Sequence, residues 1–150
     1  MVLIRSATVS DVSYIVSLHK KLGEYLGLVP MGTYERRLHH LKIAEENGDP
    51  IGFGYAGERS GILTLHQVGV QDDARRLSVG SALVDSFIGG SVASLARCRV
   101  RDTIPDREFW PAIGFVESNR VEAGKKRGKE LIVYRRDLQP TLFDLERVSE

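Results

Sequence analysis

The hydrophobic positions change period several times along this chain, and each change marks an element. Val2 to Ser6 reads as a short apolar strand. Thr8-x-x-Asp11 is a capping-box pattern, and Val12, Ile15, Leu18, His19 and Leu22 then recur at helical spacing. Gly23, Gly27 and Pro30 interrupt that region. Thr33 to about Leu38 predicts a second, shorter helix that begins at Gly32 or Thr33. Leu41 to Glu45 reads as a strand, Asn47-Gly48-Asp49-Pro50 as a turn, and Ile51 to Ala56 as the returning strand of a hairpin. Gly57 to Gly61 is a second turn. Ile62 to Val70 is too apolar for a one-sided strand, which predicts a central place in a sheet.

A longer helix follows, with Val79, Ala82, Leu83, Ser86 and Phe87 along one side and Gly89-Gly90 at its end. Ala96, Cys98 and Val100 alternate with Arg97, Arg99 and Arg101, the two-residue period of a strand. Ile104-Pro105 opens a short helix. Phe115 to Val121 and Leu131 to Arg135 are the last strands, on either side of the loop Gly124-Lys125-Lys126-Arg127-Gly128-Lys129. The order predicts a mixed α/β domain over residues 1–138. A mostly polar tail, 139–150, carries Leu142, Phe143 and Leu145 as its apolar anchors. No repeat or second domain is visible.

Composition narrows the classes. With 150 residues and 42% hydrophobic content the chain can bury a core without staples. The formal net charge of +1 gives no global argument for a polyanionic partner. Cys98 is the sole cysteine, so an intramolecular disulfide is impossible and a cysteine-based metal site implausible. It lies on the apolar side of its strand and reads as core. No apolar run approaches the ~18 residues that span a bilayer, and the N-terminus lacks a signal-peptide pattern. A cytoplasmic protein without a membrane partner is expected. His39-His40 precede a strand, where adjacent side chains point apart, and no third ligand follows; no metal is expected.

The most informative stretch is Arg75-Arg76-Leu77-Ser78-Val79-Gly80-Ser81, between the apolar strand and the long helix. A strand, a basic turn with small residues and a helix start make an anion site, because unpaired N–H groups and the helix dipole face the same point. Gly80 and Ser81 lack bulk, so a pyrophosphate has room to approach. Neither the Walker nor the dinucleotide fingerprint is present. The pattern resembles the acyl-CoA signature of the GNAT superfamily of N-acyltransferases, [QR]-x-x-G-x-[GA]. Arg75 takes its first position, Ser78 stands for the first Gly and Gly80 takes the last. Phe109-Trp110-Pro111-Ala112-Ile113-Gly114-Phe115 resembles the closing motif of that superfamily, F-Y-x-x-x-G-F.

The resemblance implies a central mixed, mostly antiparallel sheet of about six or seven strands with a splay, and about four helices. It implies an N-acetyltransferase with acetyl-CoA as co-substrate and a primary amine as acceptor. The backbone of Val68, Gly69 and Val70 would bind the pantetheine arm. The N–H groups from Leu77 through Ser78, Val79 and Gly80 to Ser81 would hold the pyrophosphate, with Arg75 and Arg76 nearby. Thr103 stands where many members carry Asn near the cofactor.

The implied chemistry is attack of a neutral amine on a thioester, with an N–H such as that of Val68 stabilising the oxyanion. His66 is the base candidate, since its pKa lies near neutrality. Two-residue spacing predicts one face for Thr64, His66 and Val68. Members with a carboxylate base carry it at the position of Thr64. A Thr is no base, so a water chain is the rival, and Glu45, Glu46 and Asp102 are the other carboxylates in range. The usual acid is a Tyr at the position of Trp110, and an indole is not an acid. Tyr25 and Tyr134 are further tyrosines.

Between Arg97 and Arg136 eleven basic residues face six acidic ones. This basic region suits the CoA 3′-phosphate, an acidic substrate or nucleic acid. Two other readings stay open. One is a nucleobase-modifying enzyme like the phage Mom group, with Trp110 stacking on a base. The other is a CoA-binding protein of the same fold without catalysis. Either a monomer or a homodimer fits.

Overall fold

Two left-handed dipeptides shape the first half of the sheet. Asn47 (φ 55°) and Gly48 (φ 84°) close one hairpin, and Ser60 (φ 54°) and Gly61 (φ 79°) close the next. Two-residue turns with positive φ match the twist of the strands they join. They also take fewer residues than the sequence suggests. Asp49-Pro50 and Gly57 therefore belong to a strand, not to the turns.

The computed structural model describes residues 1–23, 26–27, 29–71, 76–101, 104–122 and 130–138. Its strands are β1 (Val2–Ser6), β2 (Leu41–Glu46), β3 (Asp49–Arg59), β4 (Ile62–Val70), β5 (Leu95–Arg101), β6 (Val116–Glu122) and β7 (Glu130–Asp137). The helices are α1 (Val12–Leu22), α2 (Thr33–Arg36), α3 (Arg76–Gly89) and α4 (Phe109–Ala112). The predicted second helix is shorter than expected, and a 3-10 turn over Leu38–His40 replaces its end. The strands form one seven-stranded sheet in the order β1-β2-β3-β4-β5-β7-β6. All neighbours are antiparallel except β4 and β5. Among the described residues no helix is long and apolar enough to cross a membrane.

The sheet buries both faces. On one side α1 and α2 bring Val12, Ile15, Leu18 and Tyr34 onto Leu41, Ile43 and Phe53. On the other, α3 and α4 bring Val84, Phe87 and Trp110 onto Leu63, Leu65, Ala96 and Cys98. Cys98 is core, as its strand position predicts, and burial pushes its thiol well above the ordinary range.

The capping-box residues tie β1 to α1. Asp11 accepts the Thr8 backbone N–H at 2.7 Å and a two-pronged pair from Arg5, Nη1 at 2.8 Å and Nη2 at 2.9 Å. Arg5 Nε also reaches Glu45 on β2 at 2.9 Å. The Arg5 hydrogen bonds hold the Asp11 carboxyl at about 2, below its ordinary 3.8. A lowered carboxylate pKa stabilises the fold above pH 3.8, and that contribution disappears as the pH falls towards 2. With Arg5 partly in solvent, Asp11→Asn is expected to cost about 1–2 kcal/mol at pH 7. Urea melts at pH 7 and near pH 2.5 check this. A difference between wild type and variant that does not shrink in acid would contradict it.

Candidate active site

The site is built where β4 and β5 part. They pair only through Ile62↔Leu95, Leu63↔Ala96 and Thr64↔Arg97. β4 then runs on to Val70 with β3 on one side and without β5 on the other. Alternate backbone N–H and C=O groups along that edge therefore lack a strand partner among the described residues. This is the splay that the GNAT resemblance implies.

Just past the parting, β4 carries a bulge. Tyr55 faces Gln67 and Ala56 faces Leu65, which leaves His66 as the extra residue. A bulge inverts the alternation. Leu63, Leu65, Val68 and Val70 all face the α3 side, whereas Gln67 and Gly69 face α1 and α2. The predicted common face of Thr64, His66 and Val68 is thus corrected. Thr64 and His66 open into one cleft, and the side chain of Val68 lies across the sheet from them.

That cleft consists of two adjoining cavities of about 440 and 680 Å³, which share Arg37, Tyr55, His66 and Arg99. The His66 ring lies against Tyr55, 4.6 Å between centroids. Part of it meets solvent. The shielded remainder lowers its pKa below 6.5, and the charges of His40, Arg37 and Arg97 add to the effect. The shift favours the neutral imidazole over the imidazolium. Thr64 is half-buried, and its hydroxyl accepts from Arg97 Nε at 3.4 Å, a long contact at the point of the splay.

The floor of the smaller cavity is a polar network that periodicity could not reveal. Gln67 is 4% exposed, accepts the Tyr34 hydroxyl at 2.8 Å and donates to the Leu26 and Gly27 carbonyls at 3.1 and 3.3 Å. His19 bonds the same Tyr34 oxygen at 2.9 Å and Gly27 O at 2.8 Å. Burial raises the Tyr34 phenol to about 12, so it stays a neutral donor. Sequence reasoning missed Tyr55, Gln67 and Arg37. A polar Gln in an apolar strand and the Arg36-Arg37 pair were the available signals.

The other predicted residues divide. α3 begins at Arg76, as a signature at this place requires. Its outer side exposes Leu77 and Ser78, with Ser81 partly covered, beside an open hollow of about 640 Å³ that also meets Ile113 and Arg136. Val79 is fully buried. Gly80 points elsewhere than expected: a Cβ there would come within 2.7 Å of the Phe109 ring, so the missing side chain admits Phe109, not phosphate. Trp110 is also corrected. It is 9% exposed and wedged edge-on between Phe109 and Phe115, at 5.0 and 5.1 Å. It reaches neither the described cleft nor a surface where a base could stack. Tyr134 is buried, and that burial raises its pKa. Glu45 is spent on Arg5.

His39 and His40 lie in the 3-10 turn and not on a strand, so their rings are not opposed but 4.0 Å apart. His40 Nδ1 bonds the Ala56 carbonyl at 3.0 Å. Among the described residues no group of three His, Cys, Asp or Glu side chains could hold a metal. Arg75, Thr103, Asp102, Tyr25 and the basic loop 124–129 lie outside the described residues.

No protein-family profile matches the sequence, and no curated protein matches it. Solved structures do. N-acetylglutamate synthase from Neisseria gonorrhoeae, complexed with coenzyme A and N-acetyl-glutamate, superposes with a TM-score of 0.78 at 20% identity over 93% of this chain. This chain spans only 36% of that one. Ribosomal-protein-alanine N-acetyltransferase from Brucella melitensis gives 0.73 at 19% identity, covering 91% of this chain and 99% of its own. A GNAT-family acetyltransferase from Bacillus cereus gives 0.70 at 19%, covering 93% and 99%. The chain has the GNAT fold.

Proposed function

We propose that this protein is an N-acyltransferase that moves an acetyl or other acyl group from an acyl-CoA thioester to a primary amine by direct attack. One observation carries the reading. Beyond Thr64 the edge of β4 has no strand partner among the described residues, and His66 on that stretch lines a cleft. An arm with two amides suits such an edge, and a diphosphate suits a helix start. The backbone of Val68, Gly69 and Val70 would take the pantetheine. The N–H groups in the first turn of α3, at Leu77 and Ser78, would take the pyrophosphate, with Arg75 and Arg76 beside it and Thr103 near the cofactor. Arg136 and the hollow outside Leu77 and Ser78 would receive the nucleotide end. The neighbours solved with coenzyme A support this assignment.

In the step itself the amine nitrogen bonds to the thioester carbonyl carbon and the C–S bond breaks. A proton leaves nitrogen through His66, directly or through a water beside Thr64, and the thiolate ends as the free thiol of CoA. The backbone N–H of Val68 would stabilise the oxyanion. With Trp110 in the core, the thiolate leaves unprotonated or takes its proton from water. The buried indole also removes the support for base stacking, so the nucleobase-modifying reading is not favoured.

The first test is direct. Acetyl-CoA should raise the melting temperature, and an amine panel should release free thiol. Neither effect at millimolar ligand would end the proposal. A second test uses pH. The acid limb of kcat should have its midpoint below 6.5, because the His66 imidazolium is disfavoured. His66→Ala should remove that limb, lower kcat roughly 10²-fold and leave acetyl-CoA binding intact. An unchanged profile would take His66 out of the mechanism.

A further inference from the structure

The acceptor cleft is unusually cationic for a site that must bind an amine. Arg36 and Arg37 enter it from the end of α2, and Arg97 and Arg99 from β5. No described carboxylate forms an ion pair with any of the four. Among the described residues the one carboxylate on its walls, Glu58, already accepts the Ser91 hydroxyl and the Val92 N–H. Arg37 is not a loose surface group at its root. Its backbone N–H bonds the carbonyls of Thr33 and Tyr34, and Tyr34 is buried.

Such a field repels a bare ammonium and attracts an anion. We infer that the cleft takes a small amine that carries its own anionic group, a carboxylate or a phosphate, gripped by Arg37 and Arg99 with its nitrogen turned towards His66. The inference rests on the acyltransferase reading and names its acceptor class. Guanidinium forks match both anions in two-pronged geometry. The same positive field favours the neutral form of the bound amine, which is the form that attacks. The two cavities have the size of small-molecule sites. That size favours a small acid over a nucleic acid, whose backbone would need a longer basic track.

The test uses amines paired by charge: β-alanine against β-alaninamide, O-phosphoethanolamine against ethanolamine, with spermidine as a polycation. On acetyl-CoA-saturated protein the anionic member of a pair should exceed the neutral one at least tenfold in kcat/KM, and spermidine should be poorest. The two anions separate carboxylate from phosphate recognition. Arg37→Gln and Arg99→Gln should each raise KM for the anionic amine roughly tenfold. Their circular dichroism and acetyl-CoA affinity should stay as in the wild type. Equal rates within pairs, a preference for spermidine, or displacement of the anionic amine by short DNA would overturn the inference while leaving an acyltransferase. Should acetyl-CoA bind without thiol release, calorimetric titration of the same pairs decides, and binding no tighter for the anionic member overturns it. Absence of both acetyl-CoA binding and thiol release would instead bring down the acyltransferase reading.

Discussion

Gly52→Ala is expected to cost about 3 kcal/mol, large for a single methyl group. Gly52 lies on β3 opposite Val70, and a Cβ there would come within 2.7 Å of the Gly69 carbonyl oxygen and 3.4 Å of the Val70 Cα. Both are backbone atoms, so no side chain can turn aside. Either β4 shifts or the β3–β4 pairing opens at this point. For a chain of this size that corresponds to a fall of roughly 10 °C in melting temperature. The shifted segment is also the one proposed to receive pantetheine, so acetyl-CoA affinity should fall in the refolded variant. Gly89→Ala is the contrasting substitution, since nothing lies within 4 Å of its Cβ. It should change stability by less than about 1 kcal/mol, towards greater stability. Thermal melts of the two variants settle the point, and equal melting temperatures would contradict the contact geometry.

The second large effect joins α3 to α4. Gly80→Leu should destabilise by about 2–3 kcal/mol, because its Cβ would overlap Phe109 Cε1 at 2.7 Å and Cζ at 2.9 Å. Phe109 cannot swing freely, with Trp110 packed edge-on beside it. Phe109→Ala in the same chain should restore a large part of the loss, giving a coupling of more than about 1 kcal/mol in the double-mutant cycle. Simple additivity of the two changes would show that the overlap is not the cause. The cycle also bears on the signature. The two GNAT-like motifs meet here as a packing contact, Gly80 against Phe109.

Much of the sheet is legible from local pattern. The alternation of Arg97, Cys98 and Arg99 places β5, and the largely apolar run Ile62 to Val70 places β4 in the middle, because burial on both faces leaves few polar positions. Asn47-Gly48 marks its turn by the φ values those residues tolerate. The helix start at Arg76 is likewise local, set by the small and basic residues that follow the apolar run. The cleft is less legible. Leu63 and Val68 face the same side of the sheet although they are five residues apart, and only the unpaired His66 explains it. Residue types around a bulge look like those of a regular strand, so even spacing led to the wrong companion for His66.

Gly80 and Trp110 show the same limit from another side. A glycine announces that something comes close, but not what does, and Phe109 is twenty-nine residues further on. An aromatic beside a family motif looks available for chemistry until Phe109 and Phe115 close over it.

Chain order and side-chain chemistry alone establish most of the elements, the central strand, the places of the two turns and the start of the long helix. Each of these depends on neighbours within a turn or two of backbone. Long-range register establishes the rest: the three-residue pairing of β4 with β5, the reversal at His66, and the meeting of Arg37 with Arg97 and Arg99. Those features join segments up to sixty-two residues apart, and a contact across that distance is set by how whole strands and helices pack, which no local period encodes.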